Sequence, residues 1–250
     1  MQGVINNISV VIIAKNSEKS INNCLIATKF FHEVIIYLNN STDNTREIAS
    51  KFSHVKIIEG PFLGFGKTKR KATTYASNDW ILSIDSDECI NAELLASLRL
   101  INLNKDCVYK VKTQSFYKNQ RILFCGLGNE TRVRLFNRKT TNFDDSIVHE
   151  KIIDKNFQCI TLNGYIKHYS YYSISDFIQK TDLYSSLYAE QNSKYSSPVL
   201  AIFKSIVCFA NFYIIKFGFL DGYVGFLVSY SNANYVFYKY LKLYEKNKKL

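Results

Sequence analysis

Nowhere in its 250 residues does the sequence carry a C-x-x-C pair, and no histidine stands at zinc-ligand spacing beside a cysteine. The six cysteines, Cys24, Cys89, Cys107, Cys125, Cys159 and Cys208, are scattered, which leaves reduced thiols as the plain reading. A chain of this length buries a substantial core without covalent staples. No basic segment precedes the first apolar run, Ile8–Ala14, and Lys15 and Asn16 follow it directly. A cleaved secretory leader is therefore not expected, and the cytoplasm is. Long uncharged runs are also missing, although a membrane span needs about 20 apolar residues. The stretch between Lys204 and Lys216 holds 11 residues, and the 17 between Asp221 and Lys239 are interrupted by Ser229, Ser231, Asn232 and Asn234. Internal repeats and low-complexity linkers are absent as well.

Lysine and arginine total 32 against 21 acidic residues, a formal net charge of +11. This favours anionic partners such as nucleotides or phospholipid without choosing among them. From residue 8 to 84 short β-branched runs alternate with polar, helix-like stretches, the pattern of βαβ units and a mainly parallel α/β sheet. Strands are expected at Ile8–Ala14, Glu33–Leu38, Val55–Glu59 and Trp80–Ile84, with helices over about 17–30, 43–52 and 66–77 between them. After a helix near 91–103, further strands are expected at Cys107–Phe116, Arg132–Phe136, Phe157–Leu162 and Tyr165–Tyr169. Ser173-Ile-Ser-Asp176 has the form of a capping box opening a helix to about 195. The expected division is a catalytic domain over 1–172, with a nucleotide-binding half 1–104 and an acceptor half 105–172, and a helical extension over 173–250. That extension is rich in aromatics and ends in Lys239, Lys242, Lys246, Lys248 and Lys249. Interfacial helices whose lysine tail meets anionic lipid are one expectation, and packing on the domain or on a second copy of the chain is the other.

Ligands in open α/β sheets sit beyond the carboxyl ends of the strands, where Asn16, Asn39, Asn40 and the cluster Asp85-Ser86-Asp87-Glu88 fall. A D-x-D triplet directly after a buried strand suits a hard divalent cation, because Mg2+ and Mn2+ accept one or two carboxylates and take their other ligands from phosphate and water. By itself such a triplet is common on protein surfaces and serves equally as a solvated turn.

Its companions change the reading. Val10-Val-Ile-Ile-Ala-Lys-Asn16, Ser41-Thr-Asp-Asn-Thr45 and Gly64-Phe-Gly-Lys-Thr-Lys69 stand at spacings that fit successive βα units. With the acidic triplet they resemble the family 2 inverting glycosyltransferases of GT-A fold. Arg134-Leu-Phe136, Val148-His-Glu150, His168-Tyr-Ser-Tyr171 and Gly218-Phe-Leu-Asp-Gly222 look more narrowly like the lipopolysaccharide-core β-1,4-glucosyltransferase branch.

That resemblance implies roles for individual residues. Ala14, Asn16, Glu18 and Asn40 border the donor nucleoside, with Ser86 beside them. Asp85 meets ribose or metal, Asp87 the metal, and His168 is a further metal ligand. Lys67 and Lys69 stabilise the departing diphosphate, Arg134 grips donor phosphate or acceptor, and Glu150 is the base that takes the acceptor proton, with Asp144 and Asp145 in reserve. By the same resemblance the cofactor is Mn2+ or Mg2+, and the donor is a nucleotide sugar, UDP-glucose first. The acceptor is a glycolipid such as a lipopolysaccharide core, and the enzyme lies peripherally on the inner face of the cytoplasmic membrane. No nucleic acid is expected as partner. Two departures stand out: Leu38 occupies the place where relatives carry a base-binding Asp, and Gly126-Leu-Gly-Asn-Glu130 replaces an aromatic acceptor segment. Polyprenyl phosphate, capsule or other glycan acceptors are alternatives on the same fold, and a basic module binding nucleic acid or membrane is the non-enzymatic one.

Overall fold

The computed structural model describes residues 3–127, 130–146 and 150–248. The chain divides into two compact units. One comprises Met1–Thr113 with Glu130–His168, the other Gln114–Asn129 with Tyr169–Leu250.

In the first unit strands β1 (Ile5–Ala14), β2 (Phe31–Leu38), β3 (Val55–Glu59) and β4 (Trp80–Ser83) alternate with helices α1 (Ile21–Ala27), α2 (Thr45–Ser50) and α3 (Phe65–Thr73). After β4 come β5 (Glu88–Ile90), α4 (Ala92–Leu100), β6 (Cys107–Tyr117), β7 (Gln120–Arg121), β8 (Glu130–Asn137) and β9 (Gln158–Tyr171), of which β7 and the last residues of β6 and β9 fall in the second unit. The sheet order is β3-β2-β1-β4-β8-β6-β9-β5, with β7 paired to β6. The first four strands are mutually parallel, whereas β8 runs antiparallel to both β4 and β6. The α/β sheet is thus mixed and parallel where the nucleotide half was expected.

β1 is buried on both faces, as parallel strands are when helices cover them. Val10, Ile12 and Ala14 join the core shared with α1, α2 and α4, and Val11 and Ile13 join that shared with α3. Each fully buried Ile or Val contributes about 1.5–3 kcal/mol relative to exposure. Leu38 lies in the first of these cores, so its apolar character answers to packing.

Two expectations about strands need correction. Phe157–Leu162 and Tyr165–Tyr169 form one strand, β9, because Asn163-Gly164 is not a turn. Gly164 has φ +91°, and a Cβ there would lie 2.2 Å from Leu94 N. The glycine lets β9 pass against the start of α4, where Asn91 Oδ1 accepts hydrogen bonds from Leu94 N and Tyr165 N. β5, which the sequence pattern did not reveal, pairs antiparallel with β9 and sets Glu88 opposite His168.

The second unit is mainly helical: α5 (Ile174–Gln191), α6 (Pro198–Ala210) running into a π-helical turn (Asn211–Ile215), a 3-10 turn (Gly218–Asp221) and α7 (Gly222–Lys248). Ser173 and Asp176 form the expected capping box. Ser197 caps α6 with Pro198 in its first turn, where a missing N–H costs nothing. Its core is built from Tyr117, Ile122, Phe177, Val224 and Val228. Asp221 is buried and accepts hydrogen bonds from Leu123 N and Phe124 N. All six cysteines are free thiols.

Candidate active site

The site lies in the first unit, beyond the carboxyl ends of β1 and β4. Ala14 closes β1, buried, with its carbonyl accepting from Asn39 N at 3.1 Å. Asn16 and Asn40 then turn the chain in left-handed conformations, φ 49° and 55°, which asparagine tolerates better than other side chains. Asn16 Oδ1 accepts from Thr42 N at 2.8 Å, and its own N–H donates to Ser41 Oγ. Glu18 accepts from Asn44 N and Nδ2, and Asp43 accepts from Glu18 N. The two motifs at the ends of β1 and β2 thus hold each other in place. Ser17 Oγ lies 2.9 Å from Ser86 Oγ, which joins this loop to the acidic cluster. Asn40 is exposed.

The acidic cluster closes on itself. Asp85 N donates to Glu88 Oε2 at 2.9 Å, and Glu88 N to Asp85 O at 3.0 Å. Glu88 is fully buried, and Arg134 Nη2 from β8 donates to its other oxygen in a close ion pair. Arg134 Nη1 lies 3.5 Å from Asp85 Oδ2, and Lys69 Nζ from α3 lies 2.7 Å from Asp85 Oδ1. Lys69 also reaches Glu150 Oε1 at 2.7 Å. Asp85 therefore gathers β8 and α3 at one carboxylate, and Lys69 bridges it to Glu150.

Burial works against charge on Asp85, yet Lys69 and Arg134 hold its carboxyl far below the ordinary range. Burial pushes Glu88 up against the pull of Arg134, and the neighbouring Asp85 charge adds to the rise. Lys69 is buried, which disfavours its charge, but Asp85 and Glu150 more than compensate and raise it. These ion pairs are charge-assisted, although the buried Arg134 Nε finds no hydrogen-bond partner among the described residues.

Glu150 is carried by an irregular segment rather than by a strand. Gly66 N donates to Ser146 O at 3.2 Å, and a Cβ at Gly66 would lie 2.2 Å from Asp144 O. Only glycine admits this approach of the 144–146 backbone to the first turn of α3. Asp144 Oδ1 accepts from Lys151 N and Ser146 N, and Asp145 pairs with Arg70. The two reserve carboxylates are thus occupied in shaping this loop. Val148-His149, and Gly128-Asn129 of the supposed acceptor segment, lie outside the described residues. A cavity of about 480 Å3 opens beside Glu150, lined among others by Lys69, Arg132, Arg134, Phe143 and Lys151.

His168 Nε2 lies 3.3 Å from Asp87 Oδ2. Burial disfavours the imidazolium, but the bond and charge of Asp87 raise its pKa above 6.5. The described residues hold no group of three or more His, Cys, Asp or Glu arranged around one point. One carboxylate and one imidazole nevertheless fit a cation that takes its remaining ligands from phosphate and water. The expectation that Asp85 shares this role meets an obstacle, since both its oxygens face cationic side chains. Lys67 is exposed on α3, on a different part of the helix from buried Lys69.

Glu88, which holds Arg134 in place, had no role assigned from the sequence. Its signal was its position directly after the triplet, but its partner is 46 residues away and only the fold reveals it.

Residues 9–154 match the profile of glycosyl transferase family 2. The chain is 33% identical over 257 residues to an uncharacterized glycosyltransferase of Rickettsia typhi, covering 95% of this chain and 87% of that one. It is 23% identical over 250 residues to the lipopolysaccharide core biosynthesis glycosyltransferase LpsC of Rhizobium meliloti, covering 96% and 93%. Among solved structures, TarS 1–349 of S. aureus superposes with a TM-score of 0.43 at 15% identity over 98% of this chain and 92% of that one. On the family profile and the Rickettsia relative, the chain belongs to glycosyl transferase family 2 and is a glycosyltransferase of the GT-A type.

Proposed function

We propose that the protein transfers a hexose, glucose from UDP-glucose, to a hydroxyl of a glycolipid of the lipopolysaccharide-core kind, inverting the anomeric carbon in one displacement. The observation that carries this reading is the meeting of Lys69, Asp85 and Glu150, from three separate segments, at ion-pair distances beside a cavity. The acceptor class is supported by the likeness to LpsC. Leu38 is a core residue, which leaves Asn39 or Asn40 to read the base through their amides.

Glu150 takes the proton of the acceptor hydroxyl as that oxygen bonds to the anomeric carbon. The bond from that carbon to the diphosphate breaks, and the electron pair leaves with the nucleotide. Lys69 faces the developing phosphate charge, and Arg134, oriented by Glu88, supports it through Asp85. Asp87 and His168 are the residues that would hold Mn2+ or Mg2+. When bound, such a cation supplies Lewis-acid neutralisation of the diphosphate. An acceptor anchored in lipid brings the reaction to the cytoplasmic membrane surface.

The test is transfer by the purified protein with Glu150→Gln and Asp87→Ala. Glu150→Gln is expected to lower kcat on the order of 10²–10⁴-fold while keeping the stabilisation that a nucleotide sugar gives in a thermal-shift assay, about 2.7 kcal/mol at a hundredfold excess over Kd. Asp87→Ala is expected to abolish the metal-dependent part of that shift. Near-normal transfer by either variant would sink the assignment.

A further inference from the structure

Helix α6 and the π-helical turn after it carry their apolar residues outward. Val199, Ile202, Phe203, Ile206 and Val207 are exposed at helical spacing, and Ile214 and Ile215 continue the stripe, with exposures of 48–78%. Of α6 itself only Ala201 is buried. This inverts the pattern of a helix in water, whose apolar stripe faces the core, and a contiguous exposed apolar surface marks an interaction site. Among the described residues, Pro198–Ile215 is the one helix long and apolar enough to cross a membrane, with 6% of it buried.

The surrounding charge selects the occupant. From Ser197 to Gly225 the sequence carries Lys204 and Lys216 and a single acid, Asp221. Asp221 is buried and spent on backbone N–H groups. A second copy of this face would meet it cation to cation, whereas an anionic lipid surface complements it. Lys204 is exposed within the stripe, where its stem can reach headgroups from a helix lying flat but would be stranded in hydrocarbon in a helix that spans. Three of the five C-terminal lysines are engaged elsewhere, Lys248 is exposed, and Lys249 lies outside the described residues. Lys242 bonds Asp182 and Ser186, Lys246 bonds carbonyls of α5 and the residues after it, and Lys239 lies over the rings of Tyr188 and Tyr235.

We infer that the outward stripe of α6 and the turn after it is a docking face for an anionic bilayer surface, lying in the membrane plane along roughly 24 Å of helix, with Lys204 as its headgroup contact. This docking face belongs to the second unit's own surface and is independent of the transfer chemistry proposed above.

Flotation of the full chain with vesicles tests it. Vesicles containing phosphatidylglycerol are expected to carry the protein upward and pure phosphatidylcholine vesicles to carry far less, the difference shrinking at high salt. The triple change Ile202→Ser, Phe203→Ser, Ile206→Ser is expected to weaken partitioning more than about tenfold with the circular dichroism spectrum unchanged. Lys204→Gln, which disturbs no packing, is expected to weaken it about fivefold. Bound protein is expected to be released by alkaline carbonate. Unchanged flotation of both variants, resistance to carbonate, or a stable dimer dissolved by the triple change without any vesicle binding would each overturn the proposal.

Discussion

Arg134 and Glu88 form the least accessible ion pair of the active site, with side chains 8% and 1% exposed. Such pairs add little over an apolar replacement, but breaking one strands a charge and costs about 3–5 kcal/mol. Arg134→Met is therefore expected to lower unfolding stability in urea by that amount. Arg134→Met combined with Glu88→Leu should recover most of it, and equal losses in the single and double variants would show that the pair is not what matters. Legibility at this scale was uneven for a physical reason. Asp85 and Asp87 stand in a short local motif, so the sequence exposes them. Glu88 acquires its meaning only from Arg134, and Lys69 and Arg70, one position apart on α3, differ by facing: Lys69 is buried against carboxylates, while Arg70 reaches Phe143 O and Asp145.

Elements of the parallel half were readable because β1 to β4 are continuous β-branched runs separated by polar helices, and their observed bounds differ from expectation by a few residues. β9 was misread because Asn163-Gly164 is chemically a turn, and only the approach of α4 explains a glycine there. Glu150 sits on a loop without periodicity, so it was reached through resemblance alone. A carboxylate also fastens these elements to one another. Glu33 on β2 accepts from Ser77 N at 2.8 Å and Ser77 Oγ at 2.9 Å, and from Ser9 Oγ on β1. Burial resists its charge, but the bonds from Ser9 and Ser77 hold its pKa below the ordinary 4.5. A depressed folded pKa means that the stabilisation is full above the unfolded value and is lost as pH falls through the folded one. Glu33→Gln should thus lower Tm at pH 7, and calorimetry between pH 7 and 3 should find its gap to the wild type narrowing below about pH 4.5. A gap that widened on acidification would contradict this.

At the scale of the whole molecule, composition indicated the basic charge and the aromatic tail but not where the individual lysines turn. Lys242 and Lys246 turn onto α5, a contact between segments some sixty positions apart that no local pattern encodes. Counting uncharged runs also understated α6, because Lys204 interrupts the composition without interrupting the helix. The outward stripe on α6 has a further consequence for the isolated protein. With no bilayer to cover it, the nearest apolar surface is the same stripe on a neighbour, and the lysines' mutual repulsion is what keeps neighbours apart. Salt shortens the reach of that repulsion from about 10 Å at 0.1 M to about 3 Å at 1 M. Sedimentation velocity should accordingly find the average mass rising with ionic strength and falling again in mild detergent, opposite to the behaviour of an assembly held by ion pairs. Association of that kind would arise at a helix outside the unit that holds Lys69, Asp85 and Glu150, and a loss of soluble protein in strong salt would say nothing against an intact active site.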